Sequence, residues 1–219
     1  MFDAVLFDLD GTFADTAPDL GAALNRMLRE EGRDEVPIPV LRPYASHGVR
    51  GLLGVGFGVS PHDARYRELA ARFLAYYAQG LCVHTALFAG MAETLDALAD
   101  AGLPWGIVTN KRQRYTLPLL DALGYARRCA CMVSGDSAPR PKPAPEPLLL
   151  ASRLLRVEPV RCLYVGDDER DMQAALAARM TAVAAAYGYL GAGAPVEKWE
   201  AHRIIAGPKD VLGLVGLSG

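Results

Sequence analysis

Short apolar runs that each stop at a polar residue or a glycine constrain this chain more than any other feature. They are Ala4–Phe7 before Asp8, Trp105–Val108 before Thr109-Asn110, and Cys129–Val133 before Ser134-Gly135-Asp136. Then come Cys162–Val165 before Gly166-Asp167-Asp168, Thr181–Ala186 before Tyr187-Gly188, and more weakly Arg203–Ile205 before Ala206-Gly207. Unbroken runs of this length suit strands covered on both faces, as in a parallel sheet. Helical patterns lie between them. Met91–Ala101 closes at Gly102, Tyr115–Leu123 closes at Gly124 with Pro118 inside it, Pro145–Val157 carries proline early, and Asp168–Met180 is Ala-rich. Strand alternating with helix predicts an α/β, doubly wound, Rossmann-like parallel sheet with right-handed crossovers.

One crossover is too long. From Gly11 to about Leu103 no clear strand is visible, whereas a βαβ connection needs only about a dozen residues. Thr16-x-x-Asp19, with Pro18 between, reads as a capping-box-like helix start. Leu20, Ala23, Leu24, Met27 and Leu28 then follow helical spacing, as do Tyr66, Leu69, Ala70, Phe73, Leu74 and Tyr77. The glycine-rich stretch 48–58 between them matches neither phosphate-binding glycine motif and reads as flexible turns. The expectation is an all-helical cap over 15–84, inserted after strand 1 into an α/β core made of 1–14 and 85–219.

Composition narrows the function classes. Of 219 residues, 51% are hydrophobic and 22% charged, enough to build a real core and too apolar for a disordered chain. A net charge of −2 argues against nucleic acid as a partner bound by bulk electrostatics. No apolar run approaches the ~20 residues that cross a bilayer, so no membrane partner is expected. Cys82, Cys129, Cys131 and Cys162 show no C-x-x-C spacing, and the start of the chain does not resemble a signal peptide. The expected setting is cytoplasmic. No oligomeric state is specified.

Ligands of open α/β sheets bind beyond the carboxyl ends of the strands. Standing there are Asp8 and Asp10, Thr109 and Asn110, then Lys142 in a proline-stiffened loop, then Asp167, Asp168 and Asp171. Hard oxygens favour Mg²⁺, and Thr, Asn and Lys suit phosphate oxygens. Carboxylates alone would repel a phosphate dianion, and a divalent cation reverses that sign. Asp8 could then attack phosphorus to give an aspartyl-phosphate. Asp10, on the same side of an extended chain, could protonate the leaving alkoxide and later deprotonate water. Lys142 would stabilise charge on the phosphoryl oxygens. Each feature alone is ordinary: a turn pair, a polar loop, a surface lysine, acids in a first helical turn. Four in order at strand ends are not. A phospho-accepting receiver module fits poorly, since it puts the acceptor Asp on a central strand and carries no insert.

Asp8-Leu-Asp10-Gly11-Thr12-x-x-Asp15-Thr16, Thr109-Asn110-Lys111, Lys142-Pro143-x-Pro145 and Gly166-Asp167-Asp168-x-x-Asp171 together resemble the haloacid dehalogenase-type phosphatase superfamily. The resemblance spans the whole chain, and the insert resembles its helical-cap subgroup. It implies Asp8 as nucleophile and Mg²⁺ ligand, Asp10 as acid/base giving its backbone carbonyl to the metal, and Asp167 as third ligand. It also implies Thr109 and Asn110 on phosphate, Lys142 steadying nucleophile and phosphate, and Asp171 behind them, fixing water or Lys142. Asp168 stands where Ser or Thr is frequent, which allows it to meet the metal directly or through water. The family's dehalogenases lack an acid at the position of Asp10, so its presence favours a phosphatase. Within the superfamily the chain resembles phosphoglycolate phosphatases. Cys82-x-His84-x-x-Leu87-Phe88-x-Gly90-Met91 and Trp105–Lys111 also resemble a branch acting on N-acetylmuramate 6-phosphate. The expected partner is a small phosphorylated metabolite: phosphoglycolate first, a phosphosugar second, with a phosphosugar mutase the weakest reading. His47 and Arg50, in the middle of the cap, are the candidates to select it.

Overall fold

A computed structural model describes residues 2–217. Strand β1 (Ala4–Phe7) is followed by a two-residue strand β2 (Ala14–Asp15). Helices α1 (Ala17–Glu30), α2 (Ile38–Ala45), α3 (Gly48–Phe57) and α4 (Tyr66–Gln79) come next, and β3 (Ala86–Leu87) returns. The rest alternates as α5 (Met91–Asp100), β4 (Trp105–Val108), α6 (Gln113–Ala122), β5 (Cys131–Val133), α7 (Glu146–Leu155) and β6 (Cys162–Gly166). It closes with α8 (Glu169–Ala177), β7 (Thr181–Ala185), β8 (Arg203–Ile205) and α9 (Asp210–Leu214). Six strands form one parallel sheet in the order β5-β4-β1-β6-β7-β8, with Val5 in register with Trp105 on one side and Leu163 on the other.

The unbroken apolar runs bury both faces of that sheet. Val5 and Phe7 face Met91, Leu95 and Leu98 of α5, Leu119 and Leu120 of α6, and Val211 of α9. Ala4 and Leu6 point the other way, toward Leu148 and Ala151 of α7 and Met172 and Ala175 of α8. Phe13 is fully buried and stacks on Trp105, with ring centroids 5.6 Å apart. Helices α1 to α4 close around a third core of Leu24, Met27, Leu52, Leu53, Leu69 and Phe73, which Tyr115 and Tyr189 from outside the insert complete.

Three local expectations are corrected. Between Gly11 and Leu103 there are two short strands, β2 and β3, paired antiparallel, with Ala14 opposite Leu87. Two residues each are too few to show a period. The glycine-rich stretch is a helix, because Leu52, Leu53 and Phe57 bury one face of it. Its Gly56 lets the helix approach α1, where a Cβ would meet Leu24 at 2.9 Å. Thr16 precedes α1 but its side chain caps nothing; its hydroxyl donates to Asp10 instead, at 2.6 Å. The capping box lies at α8, where Asp168 and Asp171 satisfy each other's backbone donors.

Asp19 ties the two passages into the insert together. Its carboxylate accepts from the backbone of Val83, His84 and Thr85 and from the Thr85 hydroxyl, all within 3.0 Å.

Candidate active site

The chain leaves β1 toward β4 and β5, then returns on the other side of β1 as β6. Open α/β sheets hold ligands at such a reversal. The residues that follow β1, β4 and β6, which are Asp8, Thr109 and Asp167, are therefore neighbours, and all are buried.

Asp8, Asp167 and Asp171 each offer a carboxylate oxygen within 4.8 Å of the others. Burial pushes the Asp8 carboxyl up to about 6; Lys142 opposes this, while Asp171 and Asp10 add to it. Asp167 is also raised, by burial first and then by Asp8 and Asp171. Lys142 offsets part of this crowding. Its Nζ lies 2.6 Å from Asp171 Oδ1 and 2.9 Å from Asp8 Oδ1, and it donates to the Tyr164 hydroxyl at 2.7 Å and the Val108 carbonyl at 3.1 Å. The Asp8 contact is a buried ion pair, with both side chains almost wholly shielded from solvent. Buried carboxylate oxygens of Asp8 and Asp167 grouped this closely fit a hard divalent cation.

The other acids are occupied differently. Asp171 is saturated: Oδ1 accepts from Lys142 and Tyr164, and Oδ2 accepts from the Asp168 amide at 3.1 Å. Asp168 lies outside the acidic group and pairs with the Arg170 guanidinium at 2.8 and 2.7 Å. Burial raises the Asp168 carboxyl, but Arg170 outweighs that and holds it below the ordinary value. Asp167 accepts from Thr12 at 2.8 Å, the Tyr189 amide at 2.9 Å and Ser46 at 3.1 Å. Gly11 makes this packing possible. Its φ is +89°, and a Cβ there would strike Asp167 and Tyr189.

Asp10 accepts from Thr16 at 2.6 Å and from Lys111 Nζ at 2.8 and 3.1 Å. Burial pulls the Lys111 ammonium down, but Asp10 and Tyr77 more than reverse it, so the net shift is upward. Asn110 spends both ends of its amide on Lys142, donating to its carbonyl and accepting from its amide, each at 2.9 Å. It thereby positions the lysine-bearing loop. The Thr109 hydroxyl accepts from the Lys111 amide at 3.1 Å.

A cavity of about 450 Å³ opens between these residues and the helical insert. Asp8, Asp10, Thr109, Asn110, Lys142, Asp168, Asp171, His47 and Arg50 all line it, whereas Asp167 is fully buried. The insert side carries Leu20, Ala70, Phe73, Leu74 and Tyr77. His47 Nε2 sits 3.6 Å from Asp168, and burial, then Arg170, lowers its imidazole. Arg50 is exposed. Arg170 also donates to the Ser46 carbonyl at 2.9 Å, so the α2–α3 turn rests on the acidic site. Sequence reasoning gave no role to Lys111, Arg170, Ser46, Tyr77 or Tyr189. Lys111 and Arg170 stand within the motifs and were open to notice; the other three reach the site only through the fold.

The family model for haloacid dehalogenase-like hydrolases matches residues 5–185. The chain belongs to that family. It is 44% identical over 210 residues to a phosphoglycolate phosphatase of Xanthomonas campestris, covering 95% of this chain and 94% of the relative. It is 38% identical over 208 residues to an N-acetylmuramic acid 6-phosphate phosphatase of Pseudomonas putida, covering 95% and 93%. The crystal structure of a predicted phosphoglycolate phosphatase from Haemophilus somnus superposes with a TM-score of 0.86 at 26% identity, covering 98% of each chain. No helix among the described residues is long and apolar enough to cross a membrane.

Proposed function

We propose that this chain is a Mg²⁺-dependent phosphomonoester hydrolase that works through an aspartyl-phosphate on Asp8, with phosphoglycolate as its leading substrate. The observation that carries the reading is the buried Asp8 carboxylate at the sheet's reversal point, grouped with Asp167 and ion-paired with Lys142. Mg²⁺ held by Asp8 and Asp167, with the Asp10 backbone carbonyl that the family resemblance adds, would supply the positive charge that lets a phosphate dianion approach.

The chain's own groups divide the rest. The Asp8 carboxylate attacks phosphorus and the ester oxygen leaves, taking a proton from Asp10; water, deprotonated by Asp10, then cleaves the acyl phosphate. Lys142, fixed by Asp171, Tyr164 and Asn110, meets the phosphoryl oxygens without reorganising. Thr109 lines the same wall. Asp168 acts at one remove, holding Arg170 under the Ser46 turn. Residues 15–84 act as the cap that excludes water and meets the substrate's body, with His47 and Arg50 on its inner side. The four free thiols suit a reducing, cytoplasmic setting.

N-acetylmuramate 6-phosphate is the second reading, favoured by a cavity of about 450 Å³ that is roomy for a two-carbon acid. The experiment is release of inorganic phosphate from a panel of metabolite phosphates, with and without Mg²⁺, for the wild type and Asp8→Asn. The expected result is Mg²⁺-dependent turnover that Asp8→Asn abolishes on every ester. Turnover retained by Asp8→Asn would remove Asp8 as nucleophile.

A further inference from the structure

Two largely buried polar groups that line the cavity, Lys111 and Tyr77, are not accounted for by the chemistry of phosphoryl transfer. Lys111 Nζ has three donors and contacts the two Asp10 oxygens at 2.8 and 3.1 Å. Its side chain is only 7% exposed. Tyr77, from α4 of the insert, lies beside it, with Nζ 4.7 Å from the ring centroid. Tyr77 is 2% exposed, and its hydroxyl has no hydrogen-bond partner among the described residues. Leaving a buried hydroxyl unmatched is costly unless something else supplies an acceptor. Burial pushes the Tyr77 phenol up to about 12, so it stays a donor at neutral pH.

We propose that Lys111 and Tyr77 together seat a carboxylate on the substrate's body, and that the enzyme therefore prefers phosphate esters of hydroxy acids. This rests on the phosphatase reading above and deepens it. A spare ammonium donor from the sheet side and an unmatched O–H from the insert side are the two groups a carboxylate wants. Both border the same cavity as Asp8 and Asp10. The cavity's other cations suit the task less well: Arg50, Arg112 and Arg114 also line it but are exposed, where solvent weakens an ion pair. Lys142 and Arg170 are consumed by Asp8, Asp171, Asp168 and Ser46. The two donors come from different parts of the chain, Lys111 from the loop after β4 and Tyr77 from α4 of the insert, and meet at the cavity wall. Glycolate and the lactyl ether of muramate both carry such a carboxylate, so one seat serves either substrate.

The test compares matched pairs that differ in that carboxylate: 2-phosphoglycolate against 2-hydroxyethyl phosphate, and N-acetylmuramate 6-phosphate against N-acetylglucosamine 6-phosphate. In at least one pair the wild type should favour the carboxylate-bearing member about tenfold or more in kcat/KM, the size of one hydrogen bond to a charged group. Tyr77→Phe removes only an unmatched hydroxyl, so it should fold as well as the wild type. It should raise KM for the carboxylate-bearing ester while leaving KM for its neutral partner in place. Lys111→Met should collapse the preference to within about twofold, and Lys111→Arg should restore part of it. Equal treatment of both members of each pair by the wild type would overturn the proposal, as would a Tyr77→Phe change that is the same on both. Failure to hydrolyse any of the four esters, or p-nitrophenyl phosphate, with Mg²⁺ would instead overturn the phosphatase reading and this one with it.

Discussion

Replacing Lys142 by Met keeps the length of the stem and deletes the charge. The ammonium is 97% shielded on its own side chain's account, with 3% exposed, and it faces Asp171 at 2.6 Å and Asp8 at 2.9 Å. Its removal strands two buried carboxylates, whereas the single Tyr164 hydroxyl proton still has an acceptor in the Val108 carbonyl or Asp171. Breaking a buried ion pair from one side costs about 3–5 kcal/mol, which for a chain of this size lowers Tm by roughly 6–20 °C. The sign of the pH dependence follows from two groups. Lys142 is raised above its ordinary value, so the stability it contributes is fully present below that value and disappears only as pH climbs through the higher folded one. Asp8 stands at about 6, so below that pH it is protonated and needs its counter-ion less. The deficit of Lys142→Met, measured by urea or thermal unfolding in EDTA, should therefore be larger at pH 8 than at pH 5. Loss of a positioned charge at the phosphoryl group should also lower kcat by about 10²–10³. A variant within about 1 kcal/mol of the wild type at pH 8 would refute the claim that this ion pair is desolvated.

Two further substitutions probe the supports of the site. Asp19→Ala leaves three backbone donors at 83–85 and the Thr85 hydroxyl without their acceptor. It should cost about 2–4 kcal/mol in chemical unfolding and increase proteolysis at the return into β3; an unchanged profile would mean that Asp19 does not hold the passage. Gly11→Ala forces a side chain toward Asp167 and Tyr189 at a positive φ and should cost at least about 1–3 kcal/mol. It should also blunt the thermal stabilisation by Mg²⁺, which for the wild type is about 2.7 kcal/mol at one hundred times Kd. Equal Mg²⁺ stabilisation in both proteins would uncouple Gly11 from the acidic group proposed to hold the metal.

Much of the architecture is local and was therefore legible. Ala4–Phe7, Trp105–Val108 and Cys162–Val165 are apolar without interruption because both faces of a parallel strand are covered, and no tertiary information is needed to see that. Ligands of such sheets sit beyond the strands' carboxyl ends, which made Asp8, Thr109 and Asp167 candidates; that the reversal falls at β1, with β4 and β6 beside it, comes from the tertiary pairing. Where a local signal was ambiguous, packing decided. The glycines of α3 favour turns, yet burial of Leu52, Leu53 and Phe57 carries the segment into a helix. Thr16 has the residue type of a cap, yet a nearby carboxylate competes successfully for its hydroxyl.

Partner choice was legible only in part. The family resemblance set Asp167 apart as a ligand and Asp171 as a support for water or Lys142, but it left Asp168 open; the fold gives Asp168 to Arg170 and brings Asp171 to 2.6 Å from Lys142. Tyr77, Ser46 and Tyr189 reach the same cavity or its acids from segments far apart in the chain. The sequence by itself determined which chemistry the site can hold, because residue type and strand end are local facts. The tertiary structure decided which group faces which, because hydrogen bonds and ion pairs depend on distances of a few ångströms that only the closed chain sets.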